Sequence, residues 1–180
     1  MTSEKVTRTC GLVLAIAVVI YGGIRVSHRF RAQPSLIPAI SRGHDAPNFA
    51  LSTPDGKIVH LSDYRGKAVL LNFFGDTCAP CLQESPWLVA IQSRDRAKGL
   101  EIIGIEMYGA SNGAIKSYAK EFGTNYTLVH GNDHVGDEYG VGSFPTSYFL
   151  NARGTIVAAA VGLHSENETE ENVEAALRSQ

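Results

Sequence analysis

The chain is 180 residues long, with 44% apolar residues, 19% charged residues and a net charge of −2. That length suits one domain plus an appendage, and the lack of a basic excess excludes electrostatic gripping of nucleic acid. Three cysteines are too few to staple a fold that can bury its own core, which leaves them to chemistry.

Residues 10–24 read CGLVLAIAVVIYGGI, without a charge, between Lys5 and Arg8 on one side and Arg25, Arg29 and Arg31 on the other. A full membrane span needs about 20 apolar residues and a signal-peptide core about 7 to 15, so length alone does not decide between them. No A-x-A cleavage site follows the run, and Cys10 stands before it, unlike a lipoprotein cysteine. Residues 1–31 are therefore read as an uncleaved signal anchor, a transmembrane segment. Basic residues on both sides leave its orientation open. Residues 32–44 hold Pro34 and Pro38 with no helical period and read as an extended linker, which leaves 45–180 as the folded domain.

The run Ala68–Phe74, AVLLNFF, is short and unalternating and stops at Gly75, as a strand buried on both faces should. A helix is expected after the cysteines, with Arg94, Arg96 and Lys98 in its last turn and Gly99 as its stop. A second buried strand follows at 100–105. Ser111 caps a helix whose Ile115, Tyr118, Ala119 and Phe122 share one face and which Gly123 ends. Next come a strand at 126–129 and a short helix around Asp133–Tyr139. Strands at Thr146–Leu150 and 155–161 flank the turn 151–154 and should pair as a hairpin. Ser165 with Glu168 makes a capping box for a final helix carrying Val173, Ala176 and Leu177. This order predicts an α/β fold, a central mixed sheet flanked by helices. The cysteine pair then lies at the carboxyl end of the first long strand, the edge where open α/β sheets place their sites.

Residues 73–84 read FFGDTCAPCLQE. A free thiol is mostly protonated at neutral pH, so an exchanging cysteine needs its anion stabilised. Cys78 falls where strand gives way to helix, so unpaired N–H groups and the positive end of the dipole point at its sulfur. Cys81 is one turn along on the same face, close enough to attack a mixed disulfide formed at Cys78. Pro80 suits a first helical turn. Structural zinc would need a second Cys or His pair, yet Cys10 lies far away in the N-terminal segment and His28, His44, His60, His130, His134 and His164 lack ligand spacing. A purely structural disulfide across so short a loop removes little unfolded-state entropy. Redox chemistry is the reading these residues support.

Three stretches carry a family resemblance: APNFALSTPDGKIVHLSDYRGKAVLLNFF, CAPCLQESP, and YGVGSFPTSYFLNARGTIV closed by Gly162. Over residues 45–178 the chain resembles the thioredoxin superfamily. Within it, the likeness is to the membrane-tethered thiol-disulfide oxidoreductases of the TlpA, ResA and cytochrome c maturation group. The resemblance implies a thioredoxin-like fold with a redox disulfide Cys78–Cys81, on a domain anchored by a single pass to the bacterial cytoplasmic membrane. It places that domain on the periplasmic, extracytoplasmic side. A membrane electron donor of the DsbD/CcdA type would reduce it. Its substrates would be protein disulfides, with apocytochrome c or the thiol proteins of its maturation as candidates. No cofactor and no metal are expected.

Single residues follow from the same resemblance. Glu84 is similar to the family's active-site glutamate, which helps move protons between the sulfurs, although the dipole alone also favours an acidic residue early in a helix. Pro145 matches the superfamily's cis-proline, with Phe144 as the residue whose backbone pairs with a bound substrate strand. About 5% of X-Pro bonds in folded proteins are cis. Pro86 matches the proline that bends the active-site helix. Asn72 stands where thioredoxins proper carry a buried aspartate. Phe74 and Thr77 replace two tryptophans of the usual pattern, so Thr77 removes an aromatic surface from the substrate-binding side of Cys78. Trp87 is expected in the core.

Two other readings use the same residues. A peroxiredoxin-like peroxidase shares the segment before the cysteines, but Leu71 and Gly75 occupy the proline and threonine positions of its P-x-x-x-[ST]-x-x-C pattern. A copper-binding or metal-delivery module would use the dithiol as soft ligands, normally with wider cysteine spacing and a histidine.

Overall fold

The computed structural model describes residues 42–179, so the expected anchor and most of the expected linker lie outside the described residues. The chain is already tied to the domain at the end of the linker, where Gly43 N–H donates to the Ile156 carbonyl and Ile156 N–H to that of His44. The strands are β1 (Ala50–Ser52), β2 (Ile58–His60), β3 (Ala68–Phe74), β4 (Leu100–Glu106), β5 (Thr127–His130), β6 (Thr146–Leu150) and β7 (Ile156–Val161). The helices are α1 (Ala79–Asp95), α2 (Asn112–Phe122), α3 (Asp133–Tyr139) and α4 (Glu166–Arg178).

Five strands form one mixed sheet in the order β5-β4-β3-β6-β7, with β3, β4 and β5 parallel and β6 and β7 antiparallel to their neighbours. The centre falls on β3, whose seven side chains are all buried. Because successive side chains alternate faces, the run divides into two sets. Val69, Leu71 and Phe73 join Ile103, Ile105, Tyr148 and Leu150 on one face, under Val135 and Tyr139 of α3 and Leu51 and Val59 of the β1–β2 hairpin. Ala68 and Leu70 face the other way, against Leu88 and Ile91 of α1 and Val173 and Ala176 of α4. At the carboxyl end of that second face, Phe74 packs with Cys78, Cys81, Ile115, Tyr118 and Leu128. Asn72 lies between Leu70 and Phe74 on the α1 side, and this places its amide under the active-site helix.

The capping signals behave as local rules predict. Ser111 Oγ accepts the Ala114 N–H, and Ser165 with Glu168 forms a reciprocal capping box. The α-helical part of α1 ends at Asp95. The expected last turn, with Arg96 and Lys98, is a 3₁₀ segment Arg96–Lys98, and Gly99 stops it at φ 92°, a left-handed value that favours glycine. Strands β1 and β2 are not predicted by the pattern. Each has three residues and buries only one apolar side chain, Leu51 or Val59, which is too little for a period to register. The Thr53-Pro54-Asp55-Gly56 turn between them is the signal that marks the hairpin.

Candidate active site

Strand β3 ends at Phe74, and Cys78 N–H donates back to the Gly75 carbonyl at 3.1 Å, turning the chain into α1 with Cys78 as its N-cap. In that position a side-chain acceptor normally takes one of the helix's unpaired N–H groups. Here the acceptor is sulfur, because Cys81 N–H lies 3.3 Å from Cys78 Sγ. The donor and the positive helix end both favour negative charge on that atom. Pro80, second in the helix, forfeits no bond there. The cysteines form a disulfide with Cα atoms 5.2 Å apart. They differ in access: Cys78 is 8% exposed and Cys81 1%. The outer sulfur is therefore the one a partner reaches first.

Glu84 follows Cys81 by one helical turn and is buried. It lies beyond the first turn of α1, so the helix end does not account for it. Asn72 supplies its partner from the sheet, donating from Nδ2 to Glu84 Oε1 at 2.6 Å and to Ser147 Oγ at 3.1 Å. Burial pushes the Glu84 pKa up to about 7, against the lowering effect of the Asn72 bond. A carboxyl so placed exchanges its proton at neutral pH. Replacing Asn72 by aspartate would set two carboxyls in hydrogen-bond contact in a dry site. Asn72→Asp is expected to lower stability at pH 8 by about 3 kcal/mol, with the loss shrinking at pH 4.5, in urea unfolding of the oxidised chain.

Ser85 and Tyr118 belong to the same cluster, and sequence reasoning did not assign them to the site. Ser85 Oγ donates to the Cys81 carbonyl at 2.9 Å and is hydrogen-bonded to the Tyr118 hydroxyl. Since serine has one hydroxyl proton, Tyr118 is the donor of that second bond. The Tyr118 ring lies 5.0 Å from that of Phe74, and burial raises its pKa. Tyr118 was legible as a buried helix position, but nothing local showed where its hydroxyl points.

The Phe144–Pro145 peptide is cis and immediately precedes β6. Pro145 is buried, and Phe144 packs against the cluster that holds both cysteines. Thr77 is exposed beside Cys78. Pro86 sits inside α1, where its ring removes the N–H that would bond the Leu82 carbonyl. Trp87 departs from expectation. It is half-buried and belongs to none of the three apolar clusters, because Cys81, Glu84, Ser85, Leu88, Ile91, Gln92 and Asp95 form the buried stripe of α1 and position 87 lies to one side of it. Among the described residues, no three His, Cys, Asp or Glu side chains converge as a metal site. No helix of the described residues is long and apolar enough to cross a membrane.

Comparison with known proteins bears on the same constellation. Residues 42–159 match the profile of the AhpC/TSA family. The chain is 34% identical over 157 residues to the thiol-disulfide oxidoreductase ResA of Bacillus subtilis (strain 168), covering 87% of this chain and 82% of that protein. It is 30% identical over 170 residues to ResA of Geobacillus thermodenitrificans (strain NG80-2), covering 94% of each. A crystal structure of a thiol:disulfide interchange protein of the thioredoxin family from Chlorobium tepidum TLS superposes with a TM-score of 0.69 at 29% identity, over 77% of this chain and 99% of that one. With a more accessible and a fully buried cysteine joined at a helix N-terminus, the chain belongs to the thioredoxin-like AhpC/TSA family and is a protein-disulfide oxidoreductase of the ResA type.

Proposed function

We propose that this oxidoreductase is an anchored, extracytoplasmic reductase that keeps apocytochrome c, or a thiol protein of its maturation, in the dithiol state. A thiol-based electron carrier of the membrane, of the DsbD/CcdA type, would restore its own dithiol. The observation that supports the exchange step of this reading is the buried Glu84 carboxyl, one helical turn after Cys81, with its pKa pushed up to about 7 by burial. In partner reduction the Cys78 thiolate attacks one sulfur of the partner disulfide. That S–S bond breaks, a Cys78–partner mixed disulfide forms, and the released partner thiolate takes a proton from water. Cys81 then passes its proton to Glu84 and attacks Cys78 Sγ, which closes Cys78–Cys81 and expels the second partner thiolate. The partner gains two electrons and the enzyme dithiol loses two. Cys81 is shut off from solvent, so its proton needs an internal acceptor, and that role is assigned here to Glu84, buried one helical turn further along.

Covalent haem attachment to c-type cytochromes uses the two thiols of a C-x-x-C-H segment. Loss of this protein in its source cell is expected to lower covalently bound haem, read by peroxidase staining of denaturing gels, and an added membrane-impermeant dithiol should restore it. Unchanged haem staining would sink the pathway assignment.

A further inference from the structure

Glu106 is a buried carboxyl that disulfide exchange does not use. It closes β4 at 1% exposure, and its two oxygens accept two backbone donors of the next loop, Tyr108 N–H at 2.7 Å and Ala110 N–H at 2.9 Å. The loop is held again where Met107 N–H donates to the Phe74 carbonyl and Gly131 N–H to that of Glu106. A turn pinned at four points holds its side chains in place before any partner arrives. The side chain it presents is Tyr108, which is 52% exposed.

The position of the Tyr108 ring is constrained from two sides. It lies so close over Gly75 that a Cβ there would meet the ring carbon Cε2 at 2.5 Å, so the seat exists only because residue 75 is glycine. The ring also meets that of Phe144 edge to face, with ring centroids 5.3 Å apart at 84°. The described residues expose three large hydrophobic side chains: Ile58, Tyr108 and Leu163. Two of these border the Phe144–Pro145 element. Tyr108 stands on one side, and Leu163 follows Gly162, whose N–H donates to the Pro145 carbonyl at 2.8 Å. In a mixed disulfide the partner's Cα must come within about 4.4 to 6.8 Å of the Cys78 Cα, so the partner residues flanking its cysteine pass over this margin.

We infer that Tyr108, positioned by Glu106, is a partner-contacting residue of disulfide exchange, receiving an apolar side chain next to the partner's cysteine in an extended segment. The inference rests on the exchange chemistry above. It places on the β4–α2 loop the aromatic surface that Thr77 removes from the cysteine side.

The test uses the reduced full chain and three disulfide probes. Two are symmetric disulfide dimers of one short peptide, with either leucine or serine on both sides of its single cysteine. The third is hydroxyethyl disulfide, which has no side chains. The unsubstituted chain is expected to favour the leucine peptide by about tenfold in kcat/KM, largely through KM, since burying one aliphatic side chain is worth about that factor. Tyr108→Ala should bring the ratio close to one, Tyr108→Phe should keep it, and Glu106→Gln should lower it. All three variants should react with hydroxyethyl disulfide within about twofold of the parent. An undiminished leucine preference in Tyr108→Ala overturns the inference, and so does an equal slowing with hydroxyethyl disulfide, which would show that the ring only supports Cys78. Failure of the unsubstituted chain to react with hydroxyethyl disulfide would instead remove the exchange chemistry, and this docking role with it.

Discussion

Replacing Cys78 with serine is expected to abolish disulfide exchange, lowering kcat/KM by at least about 10³-fold, because a hydroxyl at neutral pH is neither ionised nor a sulfur nucleophile. Cys81→Ser should behave differently. It keeps the outer sulfur, the helix end that favours its anion and the backbone N–H of residue 81, so the first attack proceeds. The second does not, since serine cannot displace sulfur from sulfur, and a covalent enzyme–partner adduct accumulates. The adduct is read on non-reducing gels and by intact mass. In Cys81→Ser the remaining active-site thiol should also take up iodoacetamide at pH 7 faster than a small free thiol does. The assignment of roles rests on Cys78 being the more accessible of the two sulfurs and the only one that accepts the helix N–H. An adduct trapped through Cys81 in Cys78→Ser, with none in Cys81→Ser, would reverse it.

Glu84→Gln carries the second large expectation, in rate and in stability together. The glutamine keeps an acceptor oxygen for Asn72 but cannot take the proton of Cys81, so the resolving step should slow by about 10²-fold. Its rise with pH toward neutrality, present in the parent, should be absent. Stability should move the other way. Burial raises the carboxyl from its unfolded value of 4.5 to about 7, so the folded state binds the proton more tightly than the unfolded state does. That contribution is fully present below about pH 4.5 and is lost as pH rises through about 7. A shift of this size corresponds to about 3 kcal/mol. The oxidised Glu84→Gln chain is therefore expected to gain about 3 kcal/mol over the parent at pH 8 and little at pH 4, in urea unfolding at both pH values. Every other titrating group is common to the two chains, so parallel stability curves would show that the Glu84 carboxyl is not desolvated.

The features legible in the sequence are those that act within a few residues. The two-residue spacing of the cysteines, the placement of Cys78 at a strand-to-helix boundary, the caps at Ser111 and Ser165 and the stops at Gly99 and Gly123 each depend on local hydrogen bonds and backbone freedom. The unalternating run Ala68–Phe74 announces a strand covered on both faces, and α1 with α4 covers one face while α3 with the β1–β2 hairpin covers the other. The β1–β2 hairpin escaped because three-residue strands with one inward side chain apiece hold no period. Trp87 misled in the opposite direction, because its size favours burial while its helical phase carries it off the buried stripe.

By itself, the sequence determined the order along the chain of the strands and helices that build the five-stranded sheet, and the identity and spacing of the two cysteines. Only the tertiary structure decided what surrounds them. Asn72 and Glu84 are 12 residues apart on a strand and a helix, and the protonation of Glu84 depends on both lying on the same face of β3, away from water. Tyr108 reaches Gly75 and Phe144 because the parallel pairing of β3 with β4 and the antiparallel pairing with β6 bring three loops to one edge. Desolvation and contact across a sheet depend on which faces meet, and that is settled by the packing of the whole domain rather than by any one segment of it.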